Sequence, residues 1–105
     1  RIVAITSLCH SQKVKSRHES GKKLCDIADV VLDNKAPYGD AGIALNETVS
    51  MGPVSTLSGC FLSQCIVGRM AELLIQDSRD VPVFRSSNAD GADEYNQELF
   101  DRYVL

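Results

Sequence analysis

Residues 1–33 read RIVAITSLCHSQKVKSRHESGKKLCDIADVVLD, and this stretch decides the fold class. Arg1–Thr6 is a short, continuously apolar, β-branched run that ends in polar residues, the pattern of a buried strand. Asp29–Asp33, DVVLD, is a second run of the same kind. Between them lie a polar connection, Ser7–Ser20, and a helical segment starting near Gly21 or Lys22. Ser20 is its expected cap, and Leu24, Cys25, Ile27 and Ala28 form its apolar side. Two buried strands joined by a loop and helix make a βαβ unit, with parallel strands and a right-handed crossover. The fold class is therefore α/β.

Beyond it, Asn34–Asp40 is a turn containing Pro37 and Gly39. Ala41–Leu45 is a weak strand, and Asn46–Pro53 is a connection. Val54–Gln76 is the strongest helix. Its apolar residues, from Leu57 and Phe61 to Leu74 and Ile75, cover more than one stripe, so two buried faces are expected, one on the sheet and one on another helix or subunit. Gly59 and Gly68 would allow close backbone approach along it. Val83–Arg85 is a short extended piece, and Ala92–Tyr103 a short acidic helix.

The 105 residues suffice for one small domain. The net charge of −3 excludes general electrostatic binding of nucleic acid. The charge is polarised, however. Residues 1–23 carry six basic groups against Glu19, and residues 24–105 carry five against thirteen acidic ones. Such a chain attracts a small anion locally while staying acidic as a whole. Cys9, Cys25, Cys60 and Cys65 form no C-x-x-C pair, so free thiols, no metal and a reducing cytoplasm are expected. Ile2–Ile5 is too short for the apolar core of a signal peptide. Ser63, Gln64, Arg69 and Glu72 interrupt the most apolar stretch, which reads as a buried helix and not a membrane span. The opening at Arg1, directly on a strand, points to a piece of a longer protein.

Four places offer chemistry. Thr6-Ser7 follows a buried strand, where open parallel sheets bind ligands. The loop after it holds His10 and His18 among five basic residues, suiting a phosphate. Ser55-Thr56, in GPVSTLSG, stands at a helix start with unpartnered N–H groups. Glu47 is the best-placed lone carboxylate for acid–base work, with His18 as its companion. Each has a plain structural reading too: a satisfied strand end, a solvated face, an N-cap, a loop carboxylate. Asp90, Asp93 and Glu94 lack EF-hand spacing and read as an acidic helix start.

Taken in order, IVAITS, HSQKVKSRHESGKKL, ADVVLDNKAPYGDA, GPVSTLSG and PVFRSSNADGADEYN resemble the second half of a bacterial sugar isomerase (SIS) domain, nearest to the group described as phosphosugar-binding proteins. The resemblance covers nearly the whole chain. It implies a flavodoxin-like sandwich with a mostly parallel sheet flanked by helices, present here as the C-terminal portion of a single domain. It implies binding of a sugar phosphate at strand carboxyl ends, with Thr6, Ser7, Ser55 and Thr56 as contacts, to which the basic loop adds His10 as an expected ligand-binding residue. Glu47 and His18 are then the acid–base candidates for phosphosugar isomerisation in the longer protein. The alternative is a non-catalytic phosphosugar-sensing or assembly module. The resemblance further implies a homo-oligomer through residues 54–76; no cofactor is expected, and charge and composition leave neither nucleic acid nor membrane as an expected partner. The family's main phosphate loop and first strands are not among these residues, and Tyr95 stands where a histidine is expected.

Overall fold

The computed structural model describes residues 1–104. The chain forms two compact units, Arg1–Val67 and a second that begins at Gly68. The structure is mixed helix and strand, in the order β1 (Val3–Thr6), α1 (Leu8–Lys13), α2 (Leu24–Ile27), β2 (Val30–Asp33), β3 (Ala41–Ala44), β4 (Ser50–Pro53), α3 (Val54–Gln76) and α4 (Ala92–Tyr103).

In the first unit β1 and β2 pair in parallel, Val3 with Val30 through Thr6 with Asp33. The ladder is closed at one end by the N–H groups of Asp29 and Val30 on the Ile2 carbonyl. At the other end the Asn34 N–H donates to the Thr6 carbonyl at 3.1 Å. Both strands therefore finish side by side, and the residues after them share one rim. Ala4 and Ala36 are the buried apolar side chains of this unit.

The connection from β1 to β2 differs from the sequence expectation. Leu8–Lys13 is helical because Ser7 caps it: the Ser7 hydroxyl accepts the His10 N–H at 3.0 Å and donates to the Ala36 carbonyl at 2.6 Å. The helix expected from Gly21 begins only at Leu24. Gly21 takes φ +68°, outside the right-handed region, so no helix can run through it. Ser20 caps nothing there; its hydroxyl bonds His18 Nδ1 at 2.8 Å and accepts the Lys22 N–H at 3.3 Å. The start of α2 is fixed instead by Asp26, which accepts the Lys23 N–H at 2.7 Å.

Asn46–Pro53, expected to be a connection, supplies a strand. β4 pairs antiparallel with β3, Ala41 with Pro53 and Ile43 with Met51. The Asn46 side chain closes the intervening turn by accepting the N–H groups of Thr48 and Val49. The hairpin leads directly into α3, and the Val54 N–H donates to the Asp40 carbonyl.

The expectation of a helix over Val54–Gln76 matches α3. The face expected on the sheet is not buried there, since no residue of α3 is buried within the single chain; Leu57 is 76% exposed and Phe61 68%. No other atom lies within 4 Å of a Cβ built on Gly59 or Gly68, so neither glycine serves a close approach among the described residues. By length and composition α3 is long and apolar enough to cross a membrane, although Arg69 and Glu72 form an ion pair on its surface at 2.8 Å.

In the second unit, the extended piece Val83–Arg85 joins no sheet among the described residues. It is held by Asn96, whose side chain bonds both the N–H and the carbonyl of Arg85, at 2.8 and 2.9 Å. The Arg85 guanidinium lies 3.8 Å from the centre of the Tyr95 ring. α4 matches the expected bounds, with Asp93 and Glu94 in its first turn and Arg102 in its last, the charge order that favours a helix dipole.

Candidate functional site: a polar cleft at the strand ends

The first unit holds a cleft of about 320 Å³ beyond the carboxyl ends of β1 and β2. Its floor is Thr6 and Ser7, the residues that end β1. α1 contributes His10 and Ser11 to one wall. Asn34 and Ala36, which follow β2, make a second wall, and Asp40 and Ser55 complete it at the head of α3. Parallel pairing aligns the two strand ends, and long-range side-chain bonds from Ser7 to Ala36, Asp33 to Leu8, His10 to Gly39 and Asp40 to Ser55 draw residues far apart in sequence together here.

Two carboxylates organise this rim. Asp33, the last residue of β2, accepts the Leu8 N–H at 3.2 Å and the Lys35 N–H at 3.1 Å. It also pairs with the Lys35 ammonium at 2.7 Å. That ammonium, followed by the two N–H groups, holds the Asp33 carboxyl below the usual carboxylate range. Asp33 thereby fixes the turns on both sides of the strand pair.

Asp40 faces the head of α3. Its oxygens accept the Ser55 hydroxyl at 2.5 Å and the Ser55 N–H at 2.7 Å. These two bonds, the hydroxyl first, hold the Asp40 carboxyl below its ordinary value, and the charge of His10 adds to the effect. The His10 ring is positioned from two sides. Its Nδ1 accepts the Gly39 N–H at 3.2 Å, and its face stacks on Tyr38 with centroids 5.4 Å apart. In a neutral ring this bond leaves the proton on Nε2.

Two cations contact Tyr38 and Ser11 without lining the cleft. Lys13 Nζ lies 5.5 Å from the centre of the Tyr38 ring. The Lys23 ammonium donates to the carbonyl of Ser11. Among the described residues no three His, Cys, Asp or Glu side chains gather in a way that could hold a metal ion.

The cleft thus brings together Thr6, Ser7, His10 and Ser55. It does not bring in Thr56, which lines a separate apolar groove of about 290 Å³ with Ile43, Val54 and Leu57. Nor does it bring in His18, bonded to Ser20 in an exposed turn, or Glu47, exposed in the β3–β4 turn. The sequence does not single out Asp33, Asn34 or Asp40. The acidic residue ending an apolar strand was a usable signal for Asp33. Nothing local links Asp40 to Ser55, fifteen positions later.

Ser7 is a direct test of this architecture. Ser7→Ala removes the cap of α1 and the donor to Ala36, and is expected to destabilise the chain by about 1 kcal/mol in urea unfolding. Ser63→Ala, on the exposed side of α3, should stay within about 0.5 kcal/mol of wild type. Equal shifts for the two would deny Ser7 its capping role.

No family model matches the chain. It is 52% identical over 105 residues to a UPF0309 protein of Halalkalibacterium halodurans, an alignment covering 99% of this chain and 43% of that one. It is 40% identical over 103 residues to a UPF0309 protein of Shouchella clausii, covering 97% and 42%. The chain is similar to UPF0309 proteins. A third, from Oceanobacillus iheyensis, is 39% identical over 103 residues with the same two coverages, 97% and 42%. The chain spans less than half the length of these UPF0309 relatives. This corrects the SIS resemblance: the matched proteins are UPF0309 proteins, and no SIS model matches. What that resemblance implied for individual residues therefore has no support from family membership, and rests on the cleft alone.

Proposed function

We propose that the cleft binds a sugar phosphate. The observation that carries this reading is the composition of one small rim. Hydroxyls from Thr6, Ser7, Ser11 and Ser55, the Asn34 amide, an oriented imidazole and an ionised carboxylate line about 320 Å³; outside this lining, Lys13 lies over the Tyr38 ring and Lys23 bonds the Ser11 carbonyl. Dense donors and acceptors suit a polyhydroxylated ligand, and the two cations suit its anionic group. The volume lies at the lower end of small-molecule sites, roughly 300–1,000 Å³.

The same reading extends to the fold. Parallel sheets are normally covered on both faces, yet Val3 and Val30 are about half exposed, at 57% and 47%. β1 and β2 are in this proposal part of a larger, mostly parallel, flavodoxin-like sheet flanked by helices. α3 is an assembly helix, covered by a second copy of the chain in the cytoplasm. Protein suits this face better than lipid, because Arg69, Glu72 and Gln64 would otherwise enter the bilayer.

Phosphosugar isomerisation belongs to the longer protein in this scheme. A non-catalytic sensing role is favoured for the chain itself by one observation: Glu47 and His18 lie off the cleft. A thermal-shift panel of sugars and their phosphates tests the binding. A ligand at 100 times its dissociation constant should stabilise by about 2.7 kcal/mol. The phosphorylated member of each pair should give the larger shift. No shift with any sugar phosphate would refute the reading. Isotope exchange at the sugar C1 or C2 proton then separates turnover from binding.

A further inference from the structure

The two ends of the cleft differ in a way that fixes how a ligand lies in it. At the head of α3, the N–H and hydroxyl of Ser55 are the groups a phosphate would be expected to take. Both are already given to the two oxygens of Asp40. A phosphate within hydrogen-bond reach of Ser55 would also stand against an ionised carboxylate, and like charges at that separation repel. The α1 end is the reverse. Lys13 lies over the Tyr38 ring that stacks on His10, and Lys23 is bonded to Ser11, a cleft residue. Lys35 is not free for an anion, being paired with Asp33.

We infer that Asp40 and His10 are an acceptor–donor pair for the carbohydrate hydroxyls, and that the phosphate is held at the Lys13–Lys23 side, away from the head of α3. This rests on the sugar-phosphate reading and adds the ligand's orientation and the specificity residues. The chemistry is complementary. A hydroxyl both donates and accepts, so one sugar hydroxyl donates to the Asp40 carboxylate while another accepts from His10 Nε2–H. Gly39 sets this polarity, because its N–H occupies Nδ1 and leaves Nε2 as the donor. Asp40 is a specificity residue here: it admits hydroxyls and turns away the anion.

Amide chemical shifts of the ¹⁵N-labelled chain test this without any substitution. The probes are inorganic phosphate and the 6-phosphates of glucose, fructose and glucosamine. Inorganic phosphate is expected to move the amides of Ser11, Lys13 and Lys23 and leave Ser55 in place. A hexose 6-phosphate is expected to move both groups. Asp40→Asn should weaken the bound hexose 6-phosphate at least tenfold and should not weaken inorganic phosphate, whose repulsion at the head of α3 it relieves. If phosphate alone moves the Ser55 amide of the wild type, or Asp40→Asn weakens inorganic phosphate as much as the hexose 6-phosphate or tightens the hexose 6-phosphate, the orientation is overturned while sugar-phosphate binding stands. If no hexose 6-phosphate moves any cleft amide, the binding reading falls and the orientation with it. Should the variant fail to fold, the wild-type shifts decide alone.

Discussion

Gly52→Val is expected to destabilise the chain by about 2 kcal/mol or more and to abolish the ligand response of the cleft. Gly52 lies in β4 at φ +83°, a backbone conformation costing L-residues roughly 1–2 kcal/mol and least tolerated by β-branched ones. Space is short as well. A Cβ at this position would stand 3.3 Å from Ile43 Cδ1 and 3.4 Å from Ile43 Cγ1, on the partner strand. Valine adds two methyl groups to that contact and cannot rotate them both away. The damage reaches the site because the hairpin sets the start of α3. Gly52 precedes Pro53 and Val54, and the Val54 N–H is bonded to the carbonyl of Asp40. Shifting this corner moves Ser55 away from Asp40 and opens one wall of the cleft. Urea unfolding followed by circular dichroism measures the stability, and the thermal-shift panel measures the binding. Gly59→Ala is the matched control. It lies inside α3 with nothing within 4 Å of the new methyl group, and should stabilise by about 1 kcal/mol from helix propensity. A Gly52→Val protein as stable as wild type would show that the hairpin does not hold α3 in place.

The elements that are legible in the sequence are those with a strong local pattern. β1 and β2 are continuous β-branched runs, and α3 and α4 carry long apolar or charge-ordered helical segments. The elements that escape it depend on single contacts. α1 exists because the Ser7 side chain turns back on His10, in a stretch whose lysines and histidines read as loop. β4, SMGP, has a glycine and a proline and no apolar alternation; only its pairing with β3 makes it a strand. What covers α3 is not legible for a different reason. Apolar coverage shows that a helix wants partners, but says nothing about whether they lie in the same 105 residues. The site divides along the same line. Thr6 and Ser7 are readable because a polar pair after an apolar strand marks a strand end, and Ser55 because hydroxyls mark a helix start. Asp40 acts through a contact across fifteen residues, and His10 through the Gly39 amide twenty-nine residues away. Sequence makes His10 a ligand contact and His18 an acid–base group; the fold sets the first at the cleft and the second in an exposed turn.

Acidification should unfold the cleft and silence it together, through two carboxylates. Asp33 and Asp40 both have folded-state values below that of an unfolded aspartate, which lies near pH 3.9. A depressed carboxylate contributes stability that is fully present above the unfolded value, and that is lost as pH falls through the folded one. The contribution of this pair is therefore constant from neutrality to about pH 5, and disappears progressively below about pH 4. Each loss has a structural consequence. A protonated Asp33 releases the Lys35 ammonium and weakens its hold on the Leu8 N–H, loosening the turn that carries Ser7 and His10. A protonated Asp40 no longer accepts two strong bonds from Ser55, so the head of α3 is freed. The opposite limit involves Lys35, whose value is raised by the same Asp33 contact. Its contribution is complete below the ordinary lysine value near 10.4 and fades only as pH rises through the raised one. Circular dichroism against pH, read in parallel with ligand-induced thermal shift, should show both signals lost in one acid transition. Asp33→Asn and Asp40→Asn should each be less stable than wild type at pH 7 and show a shallower acid limb. The double variant should have the shallowest. An acid limb of wild-type steepness in the double variant would mean that other carboxylates hold this unit together, and that the rim of the cleft is not its acid-labile point.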